Sequence, residues 1–370
     1  MISVNDRLVS EAISHAVDLD QYGTGVVRRM LALLNRVDAD LFAQLTAALG
    51  NLDAESFTVE RLEALLMSVR TMHAQAYLQL DRALTNELRE FVAAEWGYQQ
   101  QLLPSVGVPL SFGTGVATAE QVYAAAMSRP FQGRLLSEWA SGIEAQRMTR
   151  IRDAVRIGYV ENESVQQIVR RVRGTRAAGY SDGLIEIDRR HAEAVVRTAV
   201  QHVAAVAQDR MIEANLDLIK AVQWHAKLDL RTSPTCRVRD GLLYTPDTHK
   251  PIGHKVPWLS GPGRSHWNCR SLAVQMLKSF EEVTGIAGVG EIPVGTRASM
   301  DGALPADLTY GQWLQKQSAA RQDEVVGPTR GALMREGKLP FDELYSRRGE
   351  MLTLDQLRER NGAAFKRAGV

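Results

Sequence analysis

Between Trp224 and Ser271 the chain gathers both of its cysteines, Cys236 and Cys269, and four of its eight histidines, His225, His249, His254 and His266. His266 and Cys269 form an H-x-x-C pair, a spacing that brings two metal ligands to one tight turn, and Cys236 can supply a third across the intervening loop. A structural zinc site takes four ligands, almost always Cys and His. Asp240, His254, His249 and His225 are all candidates for the fourth. Zinc therefore stands beside two other readings: a hydrogen-bonded histidine with packed thiols, and a Cys236–Cys269 disulfide formed under oxidising conditions after release from the cell. Catalysis is a weaker use of the same groups. Cys269 lies only three residues from His266, and no Asn or Asp can be assigned as orienter for a nucleophile and base. A nuclease of the HNH type would want an acid and a second histidine at recognisable spacing, and neither is there. The expectation is a structural centre with zinc as its one cofactor and no catalytic residue.

The neighbours of these ligands are turn-formers. Asp229, Arg231, Thr232 and Ser233 precede Cys236, and their short polar side chains bind nearby backbone; Gly241 after Asp240 permits a positive φ. The elements that must position them change period at Leu218. KAVQWHAKLDL is short, partly alternating and bounded by RTSPT, which predicts a strand; Leu242–Tyr244 and Arg270–Met276 are two more. Pro246, Pro251, Pro257 and Pro262 with Gly253, Gly261 and Gly263 fill the loop between them, so this small mixed α/β unit must be pinned by local polar contacts.

Upstream of Leu218 the chain reads as nearly all helix. Val26, Met30, Leu33, Leu34, Leu41, Leu45 and Leu49 recur at helical spacing before Gly50, a C-cap. A second helix begins near Thr58, carries Leu62, Leu65, Leu66, Val69, Met72 and Ala76 on one face, and reaches about Trp96. Two prolines and three glycines over 103–117 predict a linker. Thr118 with Gln121 and Ser164 with Gln167 make capping boxes, and helices follow over Gln132–Arg156, up to Gly174, and over Asp188–Asn215. In the last part, Thr309–Gln317, Asp323–Gly337 and Leu354–Asn361 are short helices among Gly and Pro stops, with a third capping box at Thr353 and Gln356. The fold class is α+β, mostly α-helical. It divides into a helical hairpin over 1–102, the linker 103–117, a helical region 118–217, the α/β module 218–282, and a C-terminal extension 283–370 that could wrap a neighbouring surface.

Composition limits the function classes. With 45% hydrophobic and 24% charged residues the chain is globular rather than disordered, and no run of eighteen apolar residues occurs, so no membrane partner is expected. The N-terminus has acids where a signal peptide needs a basic flank, which predicts retention in the cytosol. The net charge of +1 hides a gradient. Residues 1–130 hold fifteen Asp/Glu against nine Arg, whereas the window 221–280 holds nine Lys/Arg against three Asp. That basic window is either a solvated face or a phosphate-binding one.

Several fragments together resemble the phage Mu F-like family of minor head proteins, also called head morphogenesis proteins. They are Trp224; D-L-R-T-S-P-T-C from Asp229 to Cys236; Asp240 with Gly241; and H-W-N-C-R-S from His266 to Ser271, which includes Asn268 and Arg270. V-V-R-T-A-V around Arg197, T-R-A-S-M-D-G from Thr296, L-T-Y-G-Q-W-L from Leu308 and the run from Asp323 extend it over about 140–365. Members look to carry C-x-x-C before the D-G and C-R-C after the histidine, where this chain has Ser233 and Ser271. The departure leaves Cys236, His266 and Cys269 as a minimal ligand set. The resemblance implies a virion protein in several copies at the portal vertex, acting in head assembly, DNA packaging or genome delivery without turnover, and assembled in the host cytoplasm. Its implied partners are the portal protein, the major capsid protein and packaged DNA. The alternative is a nucleic-acid-acting enzyme or DNA-binding protein that uses the Cys/His cluster and the basic window.

Overall fold

A computed structural model describes residues 4–50, 59–108, 117–161, 163–278, 296–305 and 307–370. Six helices come first: α1 (Val4–Gly50), α2 (Val59–Ser105), α3 (Ala119–Ser128), α4 (Leu136–Val160), α5 (Val165–Arg173) and α6 (Leu184–Ala214). Then come β1 (Ile219–His225), the helical turn α7 (Pro234–Arg237), β2 (Leu243–Tyr244), β3 (Pro251–Ile252) and β4 (Leu272–Leu277). The C-terminal part holds the hairpin β5 (Thr296–Ser299) and β6 (Gly302–Pro305), then α8 (Tyr310–Gln315), α9 (Ala319–Val326), α10 (Pro328–Arg335), a 3-10 turn at Phe341–Leu344 and α11 (Leu354–Ala368). The architecture is mostly helical with one small antiparallel sheet.

The chain clusters into two compact units, and three long helices contribute residues to both. One unit comprises Gln21–Val92 and Tyr123–Val200. Its apolar centre joins Leu41, Leu45 and Leu49 of α1, Met148, Ile151 and Val155 of α4, and Ile168 and Val172 of α5. Leu34 is buried as the helical spacing predicts, whereas Leu33 is only half-buried. A charged network is enclosed in the same unit. Arg147 donates to Asp38 and to the Tyr77 hydroxyl at 3.3 Å, while Arg150 and Arg189 reach Asp188 and Asp38 at 2.5 and 3.0 Å. Burial of such charges is tolerated because each carboxylate meets a guanidinium.

The other unit comprises Met1–Asp20, Ala93–Val122 and Gln201–Val370. Its sheet has the order β3-β2-β1-β4, with every pairing antiparallel. Val222 faces Tyr244 on one side and Gln275 on the other, and Trp224 faces Ala273. Leu8, Val9 and Ala12 of α1, Leu102 and Leu103 of α2, and Ile212 of α6 pack with Val222, Trp224 and Val274 in one cluster. Strand β1 is buried on both faces, which is why it reads as an apolar run with only partial alternation. A separate cluster forms around Tyr310, Trp313, Leu333, Leu344, Leu357 and Phe365, with Leu228 from the loop after β1 inside it. Each fully buried leucine here contributes about 1.5–3 kcal/mol. The C-terminal extension therefore has a core of its own, seated on the loop after β1.

Several element boundaries differ from the sequence expectation. Helix α1 starts at Val4, well before Val26, where the expected stripe begins, because Leu8, Val9 and Ala12 are held against the sheet and Gly23 and Gly25 sit inside the helix. Helix α2 runs on to Ser105 with Pro104 in its last turn; of the expected linker, 109–116 lies outside the described residues. The stripe Leu62–Ala76 on α2 likewise lies outside the described side chains. Helix α4 begins at Leu136, after a turn in which Gln132 and Gly133 take positive φ. The expected helix Asp323–Gly337 is two helices broken at Gly327, and α11 continues past a kink at Asn361 to Ala368. All three capping boxes form. A fourth, Thr309 with Gln312, opens α8.

Candidate metal centre

Two turns and the start of one strand build the site. Ser233 is the N-cap of α7, accepting from the Cys236 N–H at 3.3 Å, and Pro234 occupies the first helical position, where its missing N–H costs nothing. This single turn aims the Cys236 side chain inward. On the opposite side the Cys269 N–H donates to the His266 carbonyl at 3.2 Å, which closes the H-x-x-C turn and puts both ligands on one side. Asn268 makes that turn possible by adopting φ 55°, a conformation that Asn tolerates better than most residues.

The three predicted ligands converge. Cys236 Sγ lies 3.6 Å from Cys269 Sγ and 3.1 Å from His266 Nε2, and all three ligand atoms lie within 4.8 Å of one another. The thiols are 1% and 0% exposed. His266 Nδ1 is 2.9 Å from the Trp267 carbonyl, so that nitrogen carries the proton and Nε2 points its lone pair at the sulfurs. Ser233 Oγ is 2.7 Å from the same Nε2. The hydrogen bond from Cys236, with help from His266, holds the Cys269 thiol well below its ordinary range against the opposing effect of burial. Cys236 is raised correspondingly by that bond and by burial. Burial alone would lower His266, but its contact with Cys269 leaves it raised.

None of the four candidates for a fourth ligand is used in this way by the fold. His225 Nε2 is bonded to Gln223 at 2.8 Å, His254 Nε2 to the Leu243 carbonyl at 2.9 Å, and His249 stacks on Trp258 with ring centroids 4.5 Å apart. Asp240 accepts from two backbone N–H groups, Ala226 at 2.7 Å and Tyr310 at 2.6 Å. Its role is to join the β1 end to the start of α8. Gly241, at φ 81°, lets the chain turn after it; a Cβ there would stand 3.2 Å from the Thr309 side chain.

The remaining motif residues brace this arrangement. Arg270 grips Asp229 with two bonds of 2.5 and 2.8 Å, and Thr232 adds a third to the same carboxylate at 3.1 Å. Burial works to raise the Asp229 carboxyl, but the Arg270 guanidinium outweighs it and holds the carboxyl below its ordinary value. The Tyr310 hydroxyl donates to the Asp229 carbonyl at 2.9 Å. Trp224 is fully buried, edge-on to Trp258. Arg231 is exposed.

Two groups that sequence reading assigned to a basic face are structural. Arg239 is 2% exposed and donates to the Pro257 and Thr235 carbonyls at 3.0 and 2.7 Å. Arg237 donates to the Val325 carbonyl of α9 at 2.7 Å. Nothing in a single sequence separates such carbonyl-binding arginines from solvated ones. With Arg264 bonded to Asp209 at 2.8 Å and Arg270 to Asp229, four of the nine cations in the window 221–280 are committed internally.

Comparison with known proteins places one family on this region: residues 147–274 match the family model described as Phage Mu protein F like protein. The matched span runs from α4 into β4 and contains Cys236, His266 and Cys269. No curated protein and no solved structure matches the chain. No described helix is long and apolar enough to cross a membrane.

Proposed function

We propose that this chain is a phage head morphogenesis protein: a minor head component of the virion, present in several copies at the portal vertex and assembled in the host cytoplasm. The observation that carries this reading is the match of residues 147–274 to the Mu F-like family, because that span includes the Cys/His cluster and its bracing residues. A structural role is supported by the chemistry around the cluster. Its two cysteines are buried, and Asp229, Arg237 and Asp240 are all engaged in holding the C-terminal extension to the module.

The portal protein is the partner this reading favours, with the major capsid protein as its neighbour in the head. Purified virions analysed by mass spectrometry and labelled with an antibody against the chain test it. Label at one vertex, together with cosedimentation of the purified chain with portal oligomers, is the expected result. Absence of the chain from virions would overturn the proposal.

A second reading, contact with packaged DNA during packaging or delivery, is favoured by the exposed cations Lys227, Arg231, Lys250 and Lys255. Four phosphate contacts would make the logarithm of affinity fall with the logarithm of salt at a slope of about −3 to −4. A flat salt dependence rejects this reading.

A further inference from the structure

The three-ligand cluster is short of the four donors a closed structural site uses, and its surroundings show where the fourth belongs. Tetrahedral zinc with ordinary bond lengths separates two sulfurs by about 3.8 Å and a sulfur from an imidazole nitrogen by about 3.6 Å. The observed Sγ–Sγ separation of 3.6 Å is close to the first edge, and the Cys236 Sγ–Nε2 separation of 3.1 Å is about half an ångström shorter than the second, so the trio needs only a small expansion to take the ion. The imidazole is already turned for the purpose, since Nδ1 is tied to the Trp267 carbonyl and Nε2 faces the Cys236 sulfur and the Ser233 hydroxyl. Two soft sulfurs and one nitrogen, with no carboxylate among them, select a zinc-class ion over calcium or magnesium.

Directly beside the trio lies a cavity of about 20 Å³, bounded by Ser233, Asn268, Lys227, Arg231 and Arg270. That is room for about one water molecule. Lys227, Arg231 and Arg270 also line a larger cavity of about 540 Å³. Asp20, Asp229 and Glu324 line that cavity too; Lys227 is paired with Asp20 at 3.4 Å and Arg270 with Asp229, so Arg231 is the exposed cation that favours an anion at the approach. Ser233 Oγ, 2.7 Å from His266 Nε2, can hydrogen-bond whatever occupies the small cavity; as a neutral hydroxyl it is not one of zinc's usual ligands.

We propose that Cys236, His266 and Cys269 bind one zinc-class divalent cation whose fourth position is open, filled by a solvent oxygen and exchangeable for a small monovalent anion through the cavity that Lys227, Arg231 and Arg270 line. The site then differs from a closed four-ligand knuckle: the protein supplies three donors and solvent supplies the fourth. The inference is independent of the virion role, since it rests on the donor geometry and the adjoining cavity.

Cobalt(II) reads both halves of the proposal in the full-length chain. The purified protein, stripped by chelation and reloaded, is expected to take up one equivalent of cobalt, with sulfur-to-metal charge-transfer absorption and the intense visible bands of a four-coordinate ion. Azide should shift the visible bands saturably. Arg231→Ala should weaken the azide response several-fold and leave cobalt uptake at one equivalent. Uptake well below one equivalent by the wild-type chain, or uptake that survives in the Cys236→Ser/Cys269→Ser variant, would overturn the metal site. A wild-type cobalt spectrum that azide does not change would overturn the open position. Both wild-type readouts hold even if the double variant fails to fold, and circular dichroism establishes whether it does.

Discussion

Replacing Asp240 should release the C-terminal extension from the α/β module. Its carboxylate is 6% exposed and accepts from the Ala226 N–H with one oxygen and from the Tyr310 N–H with the other. One donor, Ala226, lies just past β1 and the other, Tyr310, is the first residue of α8, so a single side chain joins two segments 84 positions apart in sequence. Hydrogen bonds to a charged group contribute about 1.5–3 kcal/mol each, and losing the acceptor leaves two buried N–H groups unsatisfied. Asp240→Ala should therefore weaken docking of the extension by about 3–5 kcal/mol. Asp240→Asn keeps one acceptor oxygen and turns an amide group toward the other donor, so it should cost about half as much. Because the chain has two compact units, a single global melting curve is the wrong observable. Amide hydrogen exchange at Tyr310 and across α8 to α11, with limited proteolysis between 279 and 310, reads the extension directly. Protection of α8 to α11 in Asp240→Ala equal to wild type, or equal losses for Ala and Asn, would show that the apolar cluster around Tyr310 and Trp313 alone sets the docking energy.

Three further outcomes follow from the packing and electrostatics. Arg147→Met in the other unit leaves Asp38 and Asp188 buried with only Arg150 and Arg189 as cationic partners, and should destabilise that unit by about 3 kcal/mol in urea titrations. Asp229 is held below its ordinary value by Arg270, so the unfolded chain binds its proton more readily than the folded one. The stability it contributes is fully present above about pH 4 and is lost as pH falls through the lowered folded value; the urea midpoint of the wild type should drop over that range more steeply than that of Arg270→Met. Asn268→Gly should leave the H-x-x-C turn intact, whereas Asn268→Val, forced into φ 55°, should cost about 1–3 kcal/mol in equilibrium unfolding.

The local signals in the chain were sufficient for what depends on near neighbours. Three Ser or Thr capping boxes, the Gly174 stop, the strand at Leu218 and the tight turn of His266–Cys269 each follow from a few adjacent residues, and each forms. The convergence of Cys236 on the H-x-x-C pair was also legible, because soft ligands this scarce in a chain stand out by type alone. Partner choice at long range was not legible. Leu8, Val9 and Ala12 look like an ordinary helix stripe, and only the sheet they cover explains why α1 begins at Val4. Arg237 and Arg239 count as positive charge in any composition, yet the fold turns them onto backbone carbonyls inside the protein. The Gly- and Pro-punctuated extension suggested a wrapping tail, since short helices show little periodicity; Tyr310, Trp313 and Phe365 give it a core once they meet. By itself, then, the sequence determined the types of its elements and the membership of the Cys236, His266 and Cys269 cluster. Which side chains spend their charge inside, and that His225, His249, His254 and Asp240 are engaged elsewhere rather than joining the cluster, was decided by tertiary packing, because a hydrogen bond is a distance between atoms that chain spacing alone does not set.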